Sequence, residues 1–356
     1  MNWSSSRSRE YIKKSFRRVD MSKIAIVGGS GFVGSALARY LTPHYDVVVV
    51  DIRPPPINLG ENIEFRMADV RNRDEVSRAL YDVDLVVHTA IVQIPTINEQ
   101  KKLGLEVNFL GTYNVCRVVD ENSNIKGMIL AGTWHLMGEA GLSGVINEEI
   151  SYRPDKVESR ARLYVYSKIM QEVIVRYHDE MSDKIFGVIR LGTVIGRGMS
   201  EKTAVKTFIR QALSGKPLTP YRHSMYRPML FVDINDVLRA FKAYINKILN
   251  GEIKKSSNSL DRIVNVFYPE PITVLELAEI VRDAVSELTK GRIVPKIEII
   301  DMGEKPLFTE NDKYAIKVDV SKLKTLLGIE NLKHPRESIY ELVKDEIANT
   351  NPDLLQ

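Results

Sequence analysis

The chain has 356 residues, 44% of them hydrophobic and 27% charged, an ordinary globular balance that excludes wholesale disorder. No apolar run reaches the roughly 18 residues of a membrane span, so no membrane partner is expected. The single cysteine, Cys116, excludes a disulfide scaffold and a cysteine-rich zinc site, so no metal is expected and the expected compartment is a reducing one, the cytoplasm. The formal charge of +4 belongs to the leader: residues 1–20 hold six of the 50 Lys and Arg and two of the 46 Asp and Glu, which leaves 44 of each in the body. Nucleic acid is therefore not an expected partner.

The leader is rich in Ser and Arg and has no apolar h-region, so it does not read as a secretory signal. Three readings stay open for it: a targeting or RNA-binding arm, a disordered tail, or an extension upstream of a true start at Met21. It is left out of the fold reasoning.

In chain order, Lys23–Val27 is a short β-branched run and Phe32–Leu41 has helical periodicity. Asp46–Asp51 carries four consecutive valines, and Asn62–Phe65 and Asp84–His88 are further apolar runs. Residues 100–120 predict one long helix. Lys126–Ala131 predicts a strand, Arg162–Tyr177 a helix and Lys184–Leu191 a strand. Continuous apolar strands alternating with helices predict a parallel sheet covered on both faces. Right-handed crossovers make that a doubly wound α/β (Rossmann) fold. After Arg190 the texture changes to charged helices at Ala204–Leu213, Asn235–Lys247 and Val274–Leu288. Two short runs, Ile263–Phe267 and Lys296–Ile300, predict strands. The expected organisation is a dinucleotide-binding domain over 21–190 and a smaller C-terminal α+β substrate region over 191–356. Some segments of the second are expected to return to the first sheet.

The first strand runs into a glycine turn with Gly28, Gly31 and Gly34 at three-residue spacing. Gly28 lets the chain leave the strand tightly, Gly31 lets backbone approach a pyrophosphate, and Gly34 lets helix pack on strand. Ser30, Phe32 and Val33 fill the turn, and the helix N-terminus offers N–H groups and a positive dipole end to phosphates. Asp51 closes the second strand, where a carboxylate accepts from the adenosine ribose hydroxyls and repels a 2′-phosphate. Arg53, two residues on, pulls the other way; the expected cofactor is NAD rather than NADP. Asp69 and Val70 follow the third strand. Asp69 has two open readings, contact with the adenine amino group or capping of a helix that starts near Arg73.

Tyr164 and Lys168 stand four apart and share one helix face. A free phenol has a pKa of about 10, and a nearby ammonium favours the phenolate. Tyr164 is therefore the candidate base for a hydroxyl proton, and Lys168 a candidate ligand for the nicotinamide ribose. The bland alternative is a surface pair, which the coupled glycine turn argues against.

Together these segments resemble the extended short-chain dehydrogenase/reductase family, in its nucleotide-sugar epimerase/dehydratase branch. The resemblance runs through the glycine turn, Asp69-Val70, His88-Thr89-Ala90, the Asn108–Val115 segment, Tyr164/Lys168 and Phe231–Ala240. It implies that Thr89, Ala90 and Asn108 border the cofactor. It also implies a third catalytic hydroxyl five residues before a glycine; counting back from Gly138 gives Thr133. The implied activity is that of an NAD-dependent epimerase similar to UDP-glucose 4-epimerases, with a nucleotide sugar as substrate. The implied assembly is a homodimer formed through the helices near 100–120 and 162–177.

Some positions depart from the family pattern. Dehydratases of this branch follow the hydroxyl residue with Asp and Glu; here Trp134 and His135 follow. Trp134 is expected to line the sugar pocket, and His135 reads either as a packed loop histidine or as a catalytic group. Thr193 stands where galactose-type epimerases carry a phosphate-contacting Asn. The family's pyrophosphate-binding Arg is replaced by Met229, with Arg222 and Arg227 upstream as substitutes. Two other functions stay open: a one-way NAD(P)-dependent sugar-nucleotide oxidoreductase or dehydratase, and a non-catalytic dinucleotide-binding sensor.

Overall fold

The computed structural model describes residues 21–55 and 63–355; the readings of the leader lie outside the described residues. Seven strands form one parallel sheet: β1 (Lys23–Val27), β2 (Asp46–Asp51), β3 (Ile63–Met67), β4 (Leu85–His88), β5 (Gly127–Thr133), β6 (Ile185–Leu191) and β7 (Ile263–Val266). Their spatial order is β7-β6-β5-β4-β1-β2-β3. Val27 of β1 pairs with Val50 of β2 on one side and His88 of β4 on the other. The order reverses between β1 and β4, and such a reversal opens a crevice at the carboxyl ends of the strands.

The apolar runs explain the layers. All four valines of β2 are buried, so both faces of the strand must be covered. One face packs against the helices Phe32–Leu41 and Ile234–Leu249 through Leu37, Leu41, Phe241 and Tyr244. The other packs against Arg73–Ala79, Thr112–Glu121 and Arg162–Met181 through Val76, Val115, Val119 and Val175. Burying each such large side chain contributes about 1.5–3 kcal/mol. β7 comes from the C-terminal half of the chain and closes the sheet edge beside β6. A second core is built from that half as well, in which the helices Ala204–Leu213, Val274–Leu288 and Pro335–Thr350 meet through Phe208, Leu277, Val281 and Ile339.

Three local expectations change. The helix near 100–120 is broken into Lys101–Leu105, a π-helical turn Glu106–Gly111 and Thr112–Glu121. Asn108 lies in that turn. Its Oδ1 accepts from the Val92 N–H (2.7 Å), and its Nδ2 donates to Val92 O (3.0 Å) and Ser167 Oγ (2.9 Å). A widened turn of this kind is common where a helix serves a site. Lys296–Ile300 is not a strand but makes isolated bridges to Leu218 and Tyr221. Pro220 lies between those bridges and has no N–H to complete the ladder. The helix at Arg73 is capped by Asn72, which accepts from the Asp74 and Glu75 N–H groups, and not by Asp69.

Candidate active site

The glycine turn is shaped by close contact. Gly28 has φ +81°, and a Cβ there would fall 2.4 Å from Ala90 N. A Cβ on Gly34 would fall 2.6 Å from Gly28 O. Thr89 Oγ1 donates to Val27 O (3.0 Å) and Gly28 O (3.1 Å), which ties the end of β4 to the turn. The helix after it begins at Phe32, and its N-cap, Gly31, has no side chain to cap it. The first-turn N–H groups of Phe32, Val33 and Gly34 have no intrahelical acceptor and suit an anionic one. Asp51 Oδ2 accepts from Ser30 N (3.1 Å), and Ser30 Oγ donates to Arg53 O (2.8 Å). The carboxylate at the end of β2 therefore shapes the loop it borders. A cradle closed to side chains, open amides and a carboxylate at the strand end fit a dinucleotide.

Asp69 makes an ion pair with Arg71 (2.6 Å), and Arg71 also reaches Glu106 (3.2 Å). The hydrogen bonds from Arg71 hold the Asp69 carboxyl below its ordinary range. Val70 is buried beside it.

Thr133 ends β5, and Tyr164 and Lys168 lie in the first two turns of Arg162–Met181. Burial pushes the Tyr164 phenol above its ordinary value, and the Thr133 hydroxyl pulls it partly back. Burial also depresses the Lys168 ammonium, to about 7. The expectation was that Lys168 lowers the phenol's pKa. Burial dominates both groups and favours the neutral form of each. Lys168 Nζ donates to Ala131 O (2.6 Å) and Gln171 Oε1 (2.7 Å). Gln171 Nε2 donates to Thr112 Oγ1 (2.8 Å), which also meets His88 Nε2 (2.9 Å). Burial and the nearby Lys168 charge depress His88 to about 3, so it is neutral. Gln171, Thr112 and His88 were not assigned this role from sequence. Gln171 stands three residues after Lys168, on the same helix face, which was a usable signal.

Beyond Thr133 the chain makes a short 3-10 turn, Trp134–Met137. Trp134 is 1% exposed; its Nε1 donates to Thr193 Oγ1 (3.3 Å). The indole is packed with Leu136, Met137 and Phe267, so the expected sugar contact would require uncovering it. His135 Nδ1 meets Glu139 Oε1 at 2.7 Å. Arg227 is buried and pairs with Glu139, and with Glu158 at 3.4 Å. The diphosphate expected at Arg227 would thus compete with two carboxylates. Arg222 has a side chain 60% exposed and pairs with Asp301 (2.6 Å). Glu139 and Glu158 were missed, because a carboxylate in a loop carries no spacing signal.

The strand order, the glycine turn and the Tyr164/Lys168 pair define a Rossmann-type, NAD-binding protein. A model described as the NAD dependent epimerase/dehydratase family matches residues 24–258. The chain belongs to that family. It is 24% identical over 331 residues to UDP-glucuronic acid decarboxylase 1 of Danio rerio, covering 91% of this chain and 72% of that protein. It is 28% identical over 236 residues to UDP-glucose 4-epimerase of Rickettsia bellii (strain OSU 85-389), 62% of each. Its fold is similar to the structure of UDP-glucuronic acid 4-epimerase from Bacillus cereus in complex with UDP-glucuronic acid and NAD. The TM-score is 0.70 at 22% identity, over 91% of this chain and 99% of that one. Among the described residues, no helix is long and apolar enough to cross a membrane, and no group of three or more His, Cys, Asp or Glu is placed to hold a metal ion.

Proposed function

We propose that the protein is an NAD-dependent nucleotide-sugar 4-epimerase. One observation carries this reading: Thr133 and Tyr164 present two hydroxyls together at the carboxyl end of β5, with Lys168 one helical turn behind. NAD, when bound along the glycine turn, supplies a reversible hydride acceptor. Tyr164 takes the proton of a sugar hydroxyl as its carbon is oxidised, and returns it when the ketone is reduced on the opposite face. Thr133 holds the same oxygen. Lys168, once protonated, stabilises the phenolate electrostatically. The cofactor has to stay bound through the cycle, because its loss would strand the ketone.

A second reading is favoured by the Danio rerio relative, named as a decarboxylase. The same residues would oxidise a hydroxyl of UDP-glucuronic acid. A ketone β to the carboxylate would then release carbon dioxide, the electron pair of the broken bond forming an enolate that takes up a proton before the ketone is reduced to the pentose. The two readings separate in one experiment, a proton NMR time course of the protein with UDP-glucose, UDP-galactose and UDP-glucuronic acid and a trace of NAD. New epimer signals beyond the NAD present establish the epimerase. A UDP-pentose from UDP-glucuronic acid establishes the decarboxylase. No conversion of any of the three, with NAD bound, rejects both.

A further inference from the structure

Gln171 is hydrogen-bonded to Lys168, and the mechanism above leaves it without a task. It stands one turn further along the catalytic helix and is wholly buried, as are Thr112 and His88. Its Oε1 accepts from Lys168 Nζ (2.7 Å). Its Nε2 donates to Thr112 Oγ1 (2.8 Å) and to Ala90 O (3.4 Å). The neighbours fix the direction of this amide. A backbone carbonyl only accepts, so the side of the amide that faces Ala90 O has to be its NH2. The Thr112 hydroxyl gives its one proton to Asn108 O (2.8 Å). Towards Gln171 and His88 Nε2 (2.9 Å) it can therefore only accept. A flipped amide would set carbonyl against carbonyl and NH2 against ammonium. The network thus presents Lys168 with an oxygen and never with a donor.

Lys168 needs that oxygen. It serves a phenolate only as an ammonium, and burial drives it towards the neutral amine. The titratable groups around it give little support. Glu172, one turn along the same helix, raises the Lys168 pKa but is already paired with Arg190 at 2.6 Å. Tyr164, on the same helix, is kept neutral by its own burial, and His88 of β4 is neutral as well. Among the described residues no carboxylate is hydrogen-bonded to Nζ; its acceptors are Ala131 O (2.6 Å) and Gln171 Oε1. Both are uncharged oxygens that favour the ammonium. The first is backbone, so Gln171 is the side chain that opposes burial at this nitrogen. An ammonium has three N–H groups; with two committed, one is left for a ligand.

We propose that Gln171 is a positioning residue that holds Lys168 in its charged form beside Ala131 of β5, and so sets the pH range in which the site oxidises a hydroxyl. The inference rests on the oxidation–reduction proposed above, in which Lys168 has to be charged while Tyr164 is a phenolate. The choice of an amide has a physical reason. A carboxylate at this place would pair with the ammonium and offset the charge that the phenolate needs. An apolar side chain would leave the ammonium buried with one acceptor fewer, and it would lose its proton at lower pH. The amide does neither. It carries no charge, and Thr112 and Ala90 keep its donor turned away from Lys168. Activity then falls at high pH as Lys168 loses its proton, and the strength of the acceptor at position 171 decides where.

The test uses the full chain with NAD bound and carbon-13 at the lysine Cε atoms. NMR follows the Lys168 signal, identified by its loss in Lys168→Met, as pH is varied. Gln171→Leu removes the acceptor at nearly constant volume, and the Lys168 midpoint should fall by about one to two pH units. Gln171→Glu puts a charged acceptor in its place, and the midpoint should rise by about one pH unit or more. A glutamine with only a structural role would not produce shifts of opposite sign. With a sugar that turns over, the high-pH fall of kcat should move in the same two directions. An unchanged midpoint in Gln171→Leu overturns the proposal, as does a lowered midpoint in Gln171→Glu. If Gln171→Leu fails to fold, Gln171→Glu decides alone, and an unchanged or lowered midpoint there overturns the proposal. The titration needs no turnover, so the two readings fail separately. No conversion of any sugar rejects the epimerase, while the Lys168 midpoints decide the role of Gln171.

Discussion

At the scale of single residues, the site is governed by burial. Tyr164 and Lys168 are recognisable from their spacing, but their ionisation is set by the walls around them. Replacing Tyr164 with Phe removes the proton acceptor and little volume. Turnover of the sugar substrate is expected to fall about 1000-fold, with NAD still bound and the unfolding midpoint unchanged. A protein that loses NAD together with activity would show instead that Tyr164 is structural. Lys168 makes a stability prediction. Its pKa falls from 10.5 to about 7 in the folded protein because it is buried. Between those values the unfolded chain binds the extra proton, so stability rises with pH across that window. Below about 7 the folded state carries the full cost of a buried ammonium. Relative to Lys168→Met, the cofactor-free wild type should therefore gain stability as pH rises from about 7 towards 10.5. Each tenfold difference in proton affinity between the folded and unfolded chain is worth about 1.4 kcal/mol. Chemical denaturation of both proteins across that range checks it, and parallel curves would refute it.

At the scale of elements, buried ion pairs fasten the catalytic helix to the sheet. Arg190 of β6 pairs with Glu172 (2.6 Å), both side chains almost wholly buried. Glu172 also accepts from Tyr152 (2.9 Å), and Arg190 donates to Glu148 O (2.9 Å). Glu148 Oε1 in turn accepts the Asn265 N–H of β7 (2.7 Å). Helix, two strands and the loop between β5 and the helix are thereby locked in one register. Arg190→Met strands a buried carboxylate and should cost about 3–5 kcal/mol. Adding Glu172→Met should recover part of that loss, because the unpaired charge is then gone. Denaturant midpoints of the single and double variants decide this, and a double variant less stable than Arg190→Met would contradict it. Strands and helices with strong periodicity, such as β2 and Phe32–Leu41, were legible in the sequence. The π turn at Asn108 was not, since periodicity averages over one added residue. Nor was the failed strand at Lys296–Ile300, whose apolar pattern is sound. Its partner's Pro220 breaks the ladder, and a partner is unknown until the chain is folded.

At the scale of the whole molecule, the described surface carries apolar side chains along two neighbouring helices. Leu110 and Tyr113 are each 41% exposed, Val173 48% and Tyr177 65%. Large exposed apolar groups gathered on one surface mark an interaction face, and we propose that a second copy of the chain covers this one. Light scattering is expected to give twice the chain mass. Val173→Glu should halve it, since an interface depletes charge at its centre. A wild type of single chain mass would remove the proposal. The face also bears on catalysis, because the same helices carry Asn108, Thr112, Tyr164 and Lys168.

The sequence by itself determined the doubly wound sheet, the glycine turn and the four-residue spacing of Tyr164 and Lys168 on one helix. Each is a matter of periodicity or spacing within a short stretch of chain, and the chain carries that information locally. Only the tertiary structure decided the partners of the buried polar groups. Glu139, His135 and Arg227 are brought together across 88 residues of chain between Glu139 and Arg227. Gln171, Thr112 and His88 meet where one helix crosses another at the end of β4. Ionisation and hydrogen bonding depend on which groups share a dry volume, and that volume exists only after the chain has folded.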